Sequence, residues 1–301
     1  MNILVAGLIN IETTLKIDGF PIAYDPVRYP FGGVNSTVSG VGYNLAKSFT
    51  RLGNEVNFLA MIGKDLAGQT VMAALEADRL PSDHIRDQLS KTPQSVILFD
   101  GNGKRAINVD LKDIQEQTYP PEIADKLLRN CDLAALCNIN FSRPMLKQAR
   151  GLGKWVATDV HALSDLTDDY NRDYMAAADI LFLSDERIPT TAEDFARQIL
   201  NKFGNEIVVI GMGGKGALMA VRRDGFIQRF PAVYTRPVVN TIGAGDALFS
   251  SFLHFYLKTH NPYEAIRLAI IFASYKIGTT GAAEGFLTEE ETLEWQKKVE
   301  K

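Results

Sequence analysis

The segment Asn240-Thr241-Ile242-Gly243-Ala244-Gly245-Asp246-Ala247-Leu248-Phe249 sets small residues directly before an apolar pattern of helical period. Such a loop presents consecutive backbone N–H groups at a helix N-terminus. Their partial positive charge favours an anion, typically a phosphate. Asp246, at the start of the same helix, would stand beside that anion hole. A carboxylate there is useful if it takes a proton from a group attacking the phosphate. Taken alone, the segment also reads as a Gly-rich turn with Asp246 stabilising the helix start. A second segment, Ser39-Gly40-Val41-Gly42-Tyr43-Asn44-Leu45-Ala46, again opens a helix on glycines, with Asn44 in its first turn. Small residues let a ligand approach the backbone, and an Asn amide donates and accepts together, which suits a hydroxyl. A tight turn with an Asn near a helix start satisfies the same pattern.

Other motifs point away from chemistry. Gly211-Met212-Gly213-Gly214-Lys215-Gly216 fits the G-x-G-x-x-G dinucleotide pattern after a strand at 207–210. Residues 217–222 then read as strand rather than helix, and no acid stands about 20 residues on, so a dinucleotide site is not expected. Neither a Walker A loop nor a G-x-S-x-G elbow occurs. The four histidines, His84, His161, His254 and His260, lack metal-ligand spacing and read as structural. The two cysteines, Cys131 and Cys137, fit neither a zinc pair nor a disulfide framework.

Short apolar runs must position these groups: 3–7, 55–62, 133–136, 155–160, 180–183 and 207–210. Several are continuous rather than alternating, as in strands covered on both faces. Helical patterns lie between them, for example at 42–51, 68–78, 143–150 and 191–203. The alternation predicts a parallel sheet with helices on both sides. Two stretches break it. Residues 11–35 are rich in Gly, Pro and Tyr, with a strand at 13–17. Residues 92–111 read as a hairpin, 95–99 and 105–109, around Asp100-Gly101-Asn102-Gly103. Together they predict a small β layer standing off the main sheet. A second hairpin, 216–222 with 226–230, turns at Asp224-Gly225, and helical patterns follow at 244–259, 262–277 and 288–299.

The chain has 301 residues, 46% hydrophobic and 23% charged, enough for a full-sized core. Its 32 basic and 36 acidic residues leave a net charge of −4, against a nucleic-acid or anionic-membrane partner. No apolar run approaches the roughly 20 residues of a membrane span. The N-terminus reads as a first strand rather than a signal peptide, so a cytoplasmic location is expected.

In order, along nearly the whole chain, these segments resemble the PfkB/ribokinase family of carbohydrate and nucleoside kinases. The opening Gly7-Leu8-Ile9-Asn10-Ile11-Glu12 resembles the first strand that delivers an Asn and an acid to substrate hydroxyls. Residues 40–53 resemble the N-terminal signature, and Gly243-Ala244-Gly245-Asp246 the C-terminal one. Asp159 ends a strand where the family places an Asp, and Gly281-Ala282 resembles the loop that closes over the nucleotide.

The resemblance implies an α/β fold: a ribokinase-like three-layer α/β/α core with a mostly parallel sheet, one domain over 1–301. A discontinuous β lid is implied from about 11–36 and 92–112. It implies ATP and Mg2+ as cofactors, leaves a monovalent cation open, and implies phosphorylation of a sugar hydroxymethyl group. Asp246 would be the base, with the amides of Gly243, Ala244 and Gly245 holding the transferring phosphoryl. Gly211, Gly213, Gly216, Thr241, Gly281 and Ala282 would line the nucleotide side. Asn10, Glu12, Gly40, Gly42, Asn44, Asn108 and Asp110 would line a hydroxyl-rich pocket. Asn108 and Asp110 share a face if the lid strand is regular.

The chain departs from the family pattern with Glu12 for Asp, Ser39 for Gly and Asn240 for Asp. In the magnesium-linked N-x-x-E element, Ser184 and Arg187 replace Asn and Glu, which leaves Glu186 as the metal-site candidate. Aromatic rings at Phe20, Tyr24, Tyr29, Phe31 and Tyr43 keep a ribonucleoside or pseudouridine-type acceptor open, although the same rings would serve as lid core. The altered residues keep open a non-catalytic sugar or nucleoside sensor. Exposed lid edges lead to the expectation of a homodimer.

Overall fold

The computed structural model describes residues 1–101 and 104–300. In chain order the first half forms β1 (Asn2–Ala6), β2 (Asn10–Lys16), β3 (Val34–Ser39), α1 (Val41–Arg51), β4 (Glu55–Gly63), α2 (Leu66–Ala77), β5 (Ile85–Leu89), β6 (Gln94–Phe99), β7 (Arg105–Asp110), α3 (Pro121–Asn130), β8 (Leu133–Leu136) and α4 (Arg143–Gly151). The second half forms β9 (Trp155–Ala162), α5 (Arg172–Ala177), β10 (Ile180–Ser184), α6 (Ala192–Phe203), β11 (Ile207–Gly211), β12 (Ala217–Val221), β13 (Phe226–Phe230), α7 (Ala244–Thr259), α8 (Pro262–Lys276) and α9 (Glu289–Val299).

Among the described residues, a nine-stranded sheet has the order β13-β12-β11-β10-β9-β8-β1-β4-β5. Its pairs are parallel from β5 to β11, and β12 and β13 add an antiparallel edge. Strands β8, β10 and β11 are buried along almost their whole length, as a sheet covered on both faces requires. Helices α1, α7, α8 and α9 pack against one another as one layer, and α3 to α6 as the other.

Hydrophobic stripes and local caps set the helix limits. In α6 the Thr191 side chain accepts from the Asp194 amide at the start, and left-handed Gly204 ends the helix. In α9 Thr288 and Glu291 form a reciprocal capping box.

A second sheet, β3-β2-β6-β7, stands apart. Strand β2 begins four residues after β1 ends, so the first core strand feeds straight into it. Register opposes Glu12 to Thr37 and Ser95, and Ser95 to Val109. Side chains alternate across a strand, so Asn10, Glu12, Ser39, Ser95, Ile97 and Arg105 share one face. Of the expected turn Asp100-Gly101-Asn102-Gly103, Asn102 and Gly103 lie outside the described residues.

The order of the main sheet reverses at β1. The chain moves from β1 to β4 and β5 on one side, then returns to β8 on the other. The crevice beyond the carboxyl ends of such neighbouring strands is where open α/β sheets bind ligands. There the loop after β1 meets the start of α1: a Cβ on Gly42 would lie 2.6 Å from the Gly7 carbonyl carbon. Backbone fills that space, so the helix start must move if a side chain is added. Gly42→Ala is therefore expected to destabilise the fold by about 1–3 kcal/mol, read as a lower urea midpoint with an unchanged slope.

Candidate active site

The turn before α7 is shaped by Gly243. Its φ is 76°, the left-handed region, and a Cβ there would lie 2.4 Å from the Ala282 carbonyl oxygen. That turn delivers the helix N-terminus to the crevice and puts Asp246 in the first turn. A hydrogen bond from α1 holds the carboxylate: Asn44 Nδ2 donates to Asp246 Oδ2 at 2.7 Å. Asn44 is itself buried, and its Oδ1 lies 3.4 Å from Ser39 Oγ. The single Ser39 hydroxyl proton has a shorter route to Glu12 Oε2, at 3.1 Å. Glu12, Ser39, Asn44 and Asp246 thus form one polar line from the lid to the base of α7. Beside it, Asn10 Nδ2 donates to Ser95 Oγ at 2.9 Å. Its Oδ1 is buried without a partner among the described residues, an open acceptor for a hydroxyl.

Two carboxylates therefore stand within electrostatic reach of each other, Glu12 buried and Asp246 half-buried at the crevice. Burial pushes the Asp246 carboxyl above its ordinary range; the Asn44 hydrogen bond and His161 oppose that rise, and Asp159 adds to it. Burial also raises Glu12, against the Ser39 hydrogen bond, and the Asp246 charge raises it further. Asp159 does not end its strand, since β9 runs on to Ala162; it accepts from the His161 amide at 2.8 Å and lies near Gly245.

On the other side of the turn, Thr241, Gly243, Gly281 and Ala282 come together. Ala282 is buried over Gly243 and packs with Ile97 of the lid and Ile242. The Gly281 amide donates to Glu284 Oε2 at 3.2 Å. Gly211 ends β11 opposite Ser184 of β10, and Gly213 and Gly216 bound the tight turn into β12. Because β12 is a strand, the glycine motif at 211–216 opens no helix, and the dinucleotide pattern is fortuitous. Gly40 caps α1 with Gly42 just behind it, both at the loop after β1.

Two expected pocket residues are elsewhere. Register opposes Asn108 to Val96 and places it, with Asp110, on the lid face away from Asn10 and Glu12. Asn108 Nδ2 donates to the Val96 carbonyl at 3.2 Å, and Asp110 pairs with Lys112. They do share a face, but the face is the wrong one, because alternation fixes direction only once the pairing register is known. Tyr43 is likewise unavailable for stacking on a base: it is buried, with its hydroxyl on Asp78.

The lid strand β7 instead sends Arg105 inward. Its Nη1 donates to Thr241 Oγ1 at 2.9 Å, and its Nη2 stands 3.4 Å from Glu186 Oε1. Glu186 lies in the short turn after β10, held by its amide donating to Ser184 Oγ at 3.2 Å. No cluster of three or more His, Cys, Asp or Glu side chains is poised to hold a metal among the described residues. One exposed carboxylate fits an ion held mainly by phosphates and water, as magnesium is at phosphoryl-transfer sites. Arg105, Lys276 and His161 were not identified by residue pattern. The signal for Arg105 was its odd-numbered position on the hairpin, in step with 107 and 109.

A helix N-terminus, a half-buried carboxylate and a polar lid meet at the sheet's switch point, and the chain that builds them matches a known family model. The pfkB family carbohydrate kinase model covers residues 1–289. The chain belongs to the PfkB family of carbohydrate kinases. It is a phosphotransferase with an alcohol acceptor, which sets aside the sensor reading. The ATP-dependent ribose-1-phosphate kinase of Halopiger xanaduensis is 25% identical over 289 residues, 94% of each chain. Among solved structures, a microbiome-derived acarbose kinase superposes with a TM-score of 0.87 at 22% identity, over 98% of both chains. Arabidopsis thaliana ribokinase complexed with ribose and ATP gives a TM-score of 0.80 at 19% identity, also over 98% of both. The ribokinase-like three-layer α/β/α architecture of this PfkB kinase is thereby established.

The Asn44 amide stabilises the ionised form of Asp246. In Asn44→Ala, Asp246 is expected to hold its proton to a higher pH than in the parent. Carbon-13 chemical shifts of the labelled carboxyl followed against pH would show this; an unchanged titration would mean the hydrogen bond carries no weight.

Proposed function

We propose that this PfkB kinase moves the γ-phosphoryl group of ATP to a hydroxymethyl oxygen of a free sugar, with Asp246 as the base. One observation carries the reading: Asp246 is held by Asn44 at the N-terminus of α7, on the crevice side of the Gly243 turn. The acceptor oxygen forms a bond to the γ-phosphorus and gives its proton to Asp246. The bond from that phosphorus to the bridging oxygen breaks, and ADP departs with the electron pair. Asp246 needs placement more than basicity, since a carboxylate must only accept the proton as the transfer proceeds.

The Ala244 amide already donates to the Thr241 carbonyl at 3.2 Å, which leaves Gly243 and Gly245 as the amides for the phosphoryl oxygens. Arg105 adds a lid-borne positive charge at the same end. Thr241, Gly281 and Ala282, with the turn of Gly211, Gly213 and Gly216, form the nucleotide side. Magnesium, when bound, would supply charge that neutralises the phosphates, and Glu186 is the carboxylate that would hold it.

A sugar is favoured because the groups converging on Asp246 are hydroxyl partners: Asn10, with its free Oδ1, Glu12 and Asn44. A nucleoside is the second reading, since Tyr24, Tyr29 and Phe31 of the lid stand exposed. The free, buried Cys131 and Cys137 suit a reducing cytoplasm. A coupled ADP-release screen over pentoses, hexoses and ribonucleosides should find an acceptor. With that acceptor, Asp246→Asn should lower kcat by about 10²- to 10⁴-fold and leave acceptor binding by calorimetry nearly unchanged. Comparable turnover in the variant would remove the proposed base.

We also propose a homodimer through the lid. Its outer strands, β3 and β7, have unpaired edges and carry exposed Val34, Ile107 and Val109. Light scattering at micromolar concentration should give twice the chain mass; the mass of one chain would contradict it.

A further inference from the structure

Lys276 ends α8 and is 0% exposed. Lysine is almost never fully buried unless paired. Its ammonium donates to the carbonyl of Ile242, the residue just before the Gly243 turn. Three carboxylates face it from other elements: Asp246 of α7, Glu12 of β2 and Glu284 of the segment after α8, with Arg236 as the opposing cation. Asn240 ties the same two segments together without charge. Its Nδ2 donates to the Thr280 carbonyl, and its Oδ1 accepts from the Ile242 amide at 2.9 Å. A free monovalent ion would be drawn to this place, between the Ile242 carbonyl and the carboxylates of Asp246, Glu12 and Glu284. The place already holds an ammonium.

We infer that Lys276 is a built-in cation, its ammonium standing where a free monovalent ion would otherwise serve the Ile242–Gly243 turn. The inference rests on the kinase reading above. Lys276 acts through the Ile242 carbonyl, to which its ammonium donates, so it is a positioning residue. By holding the Ile242 carbonyl back toward α8 it keeps the following amides turned to the crevice, and it offsets the paired charges of Glu12 and Asp246. Burial brings its pKa down to about 8, while Asp246, Glu12 and Glu284 act to keep it charged. A cation whose pKa is lowered loses its charge as pH rises, so its contribution fades above that value.

The parent, Lys276→Ala and Lys276→Met are compared with tetramethylammonium, sodium, potassium or ammonium as the sole monovalent cation at fixed ionic strength. The parent should transfer phosphoryl at one rate in all four. Both variants should be about 10- to 100-fold slower in tetramethylammonium. Potassium or ammonium should restore the Ala variant, whose site is vacated, and not the Met variant, whose side chain still fills it. The restored Ala variant should lack the parent's alkaline fall in rate. Without any turnover, potassium should raise the melting temperature of the Ala variant over tetramethylammonium and leave the parent unmoved.

Strong activation of the parent by potassium would overturn the inference while leaving the kinase reading intact. So would an Ala variant indifferent to cations with the parent's pH profile. If no acceptor turns over in any buffer, the kinase reading fails, and the melting comparison alone decides whether the cation site is filled by Lys276. Should the Ala variant not fold, the Met variant decides through the presence or loss of the alkaline limb.

Discussion

The hydrogen bond from Asn44 to Asp246 joins two helices that lie 202 residues apart in sequence, and the site's organisation depends on it. Asp246 is half-buried at the start of α7, where an unpartnered carboxylate would be costly. One amide proton from α1 satisfies it, and α1 is in turn fixed by the contact of Gly42 with Gly7. The same two helices are pinned further along by Ser48 and Ser250, whose hydroxyls lie 2.6 Å apart. The carboxylate is therefore set by packing of the core and not by a mobile loop.

Around that pair the charges are arranged in balance. Glu12 and Asp246 are like charges at the crevice: the Asp246 charge raises the affinity of Glu12 for a proton, and Asp159 does the same to Asp246. Lys276 feels the charge of both, and Arg105 reaches Thr241 from the lid. The two cations reach the turn before α7 from opposite directions: one on the Ile242 carbonyl, one on the Thr241 hydroxyl. The helix N-terminus that the proposed transfer would use is thus held by fixed partners, on Ile242 and on Thr241.

Much of the frame was legible. The central strands β1, β8, β10 and β11 of the main sheet are largely apolar, and such runs survive almost any tertiary context. The helices 244–259 and 262–277 were readable for the same reason, with α8 ending one residue earlier. What escaped notice had little apolar signal. Strand β3 reads Val-Asn-Ser-Thr-Val-Ser and is half exposed, so it passed for loop. Strand β5 is a short edge with Arg, Asp and Gln in its middle. Lys276 sits where a cation at a helix C-terminus is the ordinary surface pattern, so its burial had no local mark.

The residue order by itself determined the glycine turn, the acid behind it, the Asn that opens the first long helix and the layered α/β frame. Each is written in local spacing, because backbone geometry restricts what small and branched residues can do. Only the folded chain decided which way the lid strands face, turning Arg105 inward and Asn108 and Asp110 outward. Only it brought an ammonium from the end of α8 beneath the phosphate turn. Register and long-range packing set those directions, and neither is carried by the neighbours of a residue in sequence.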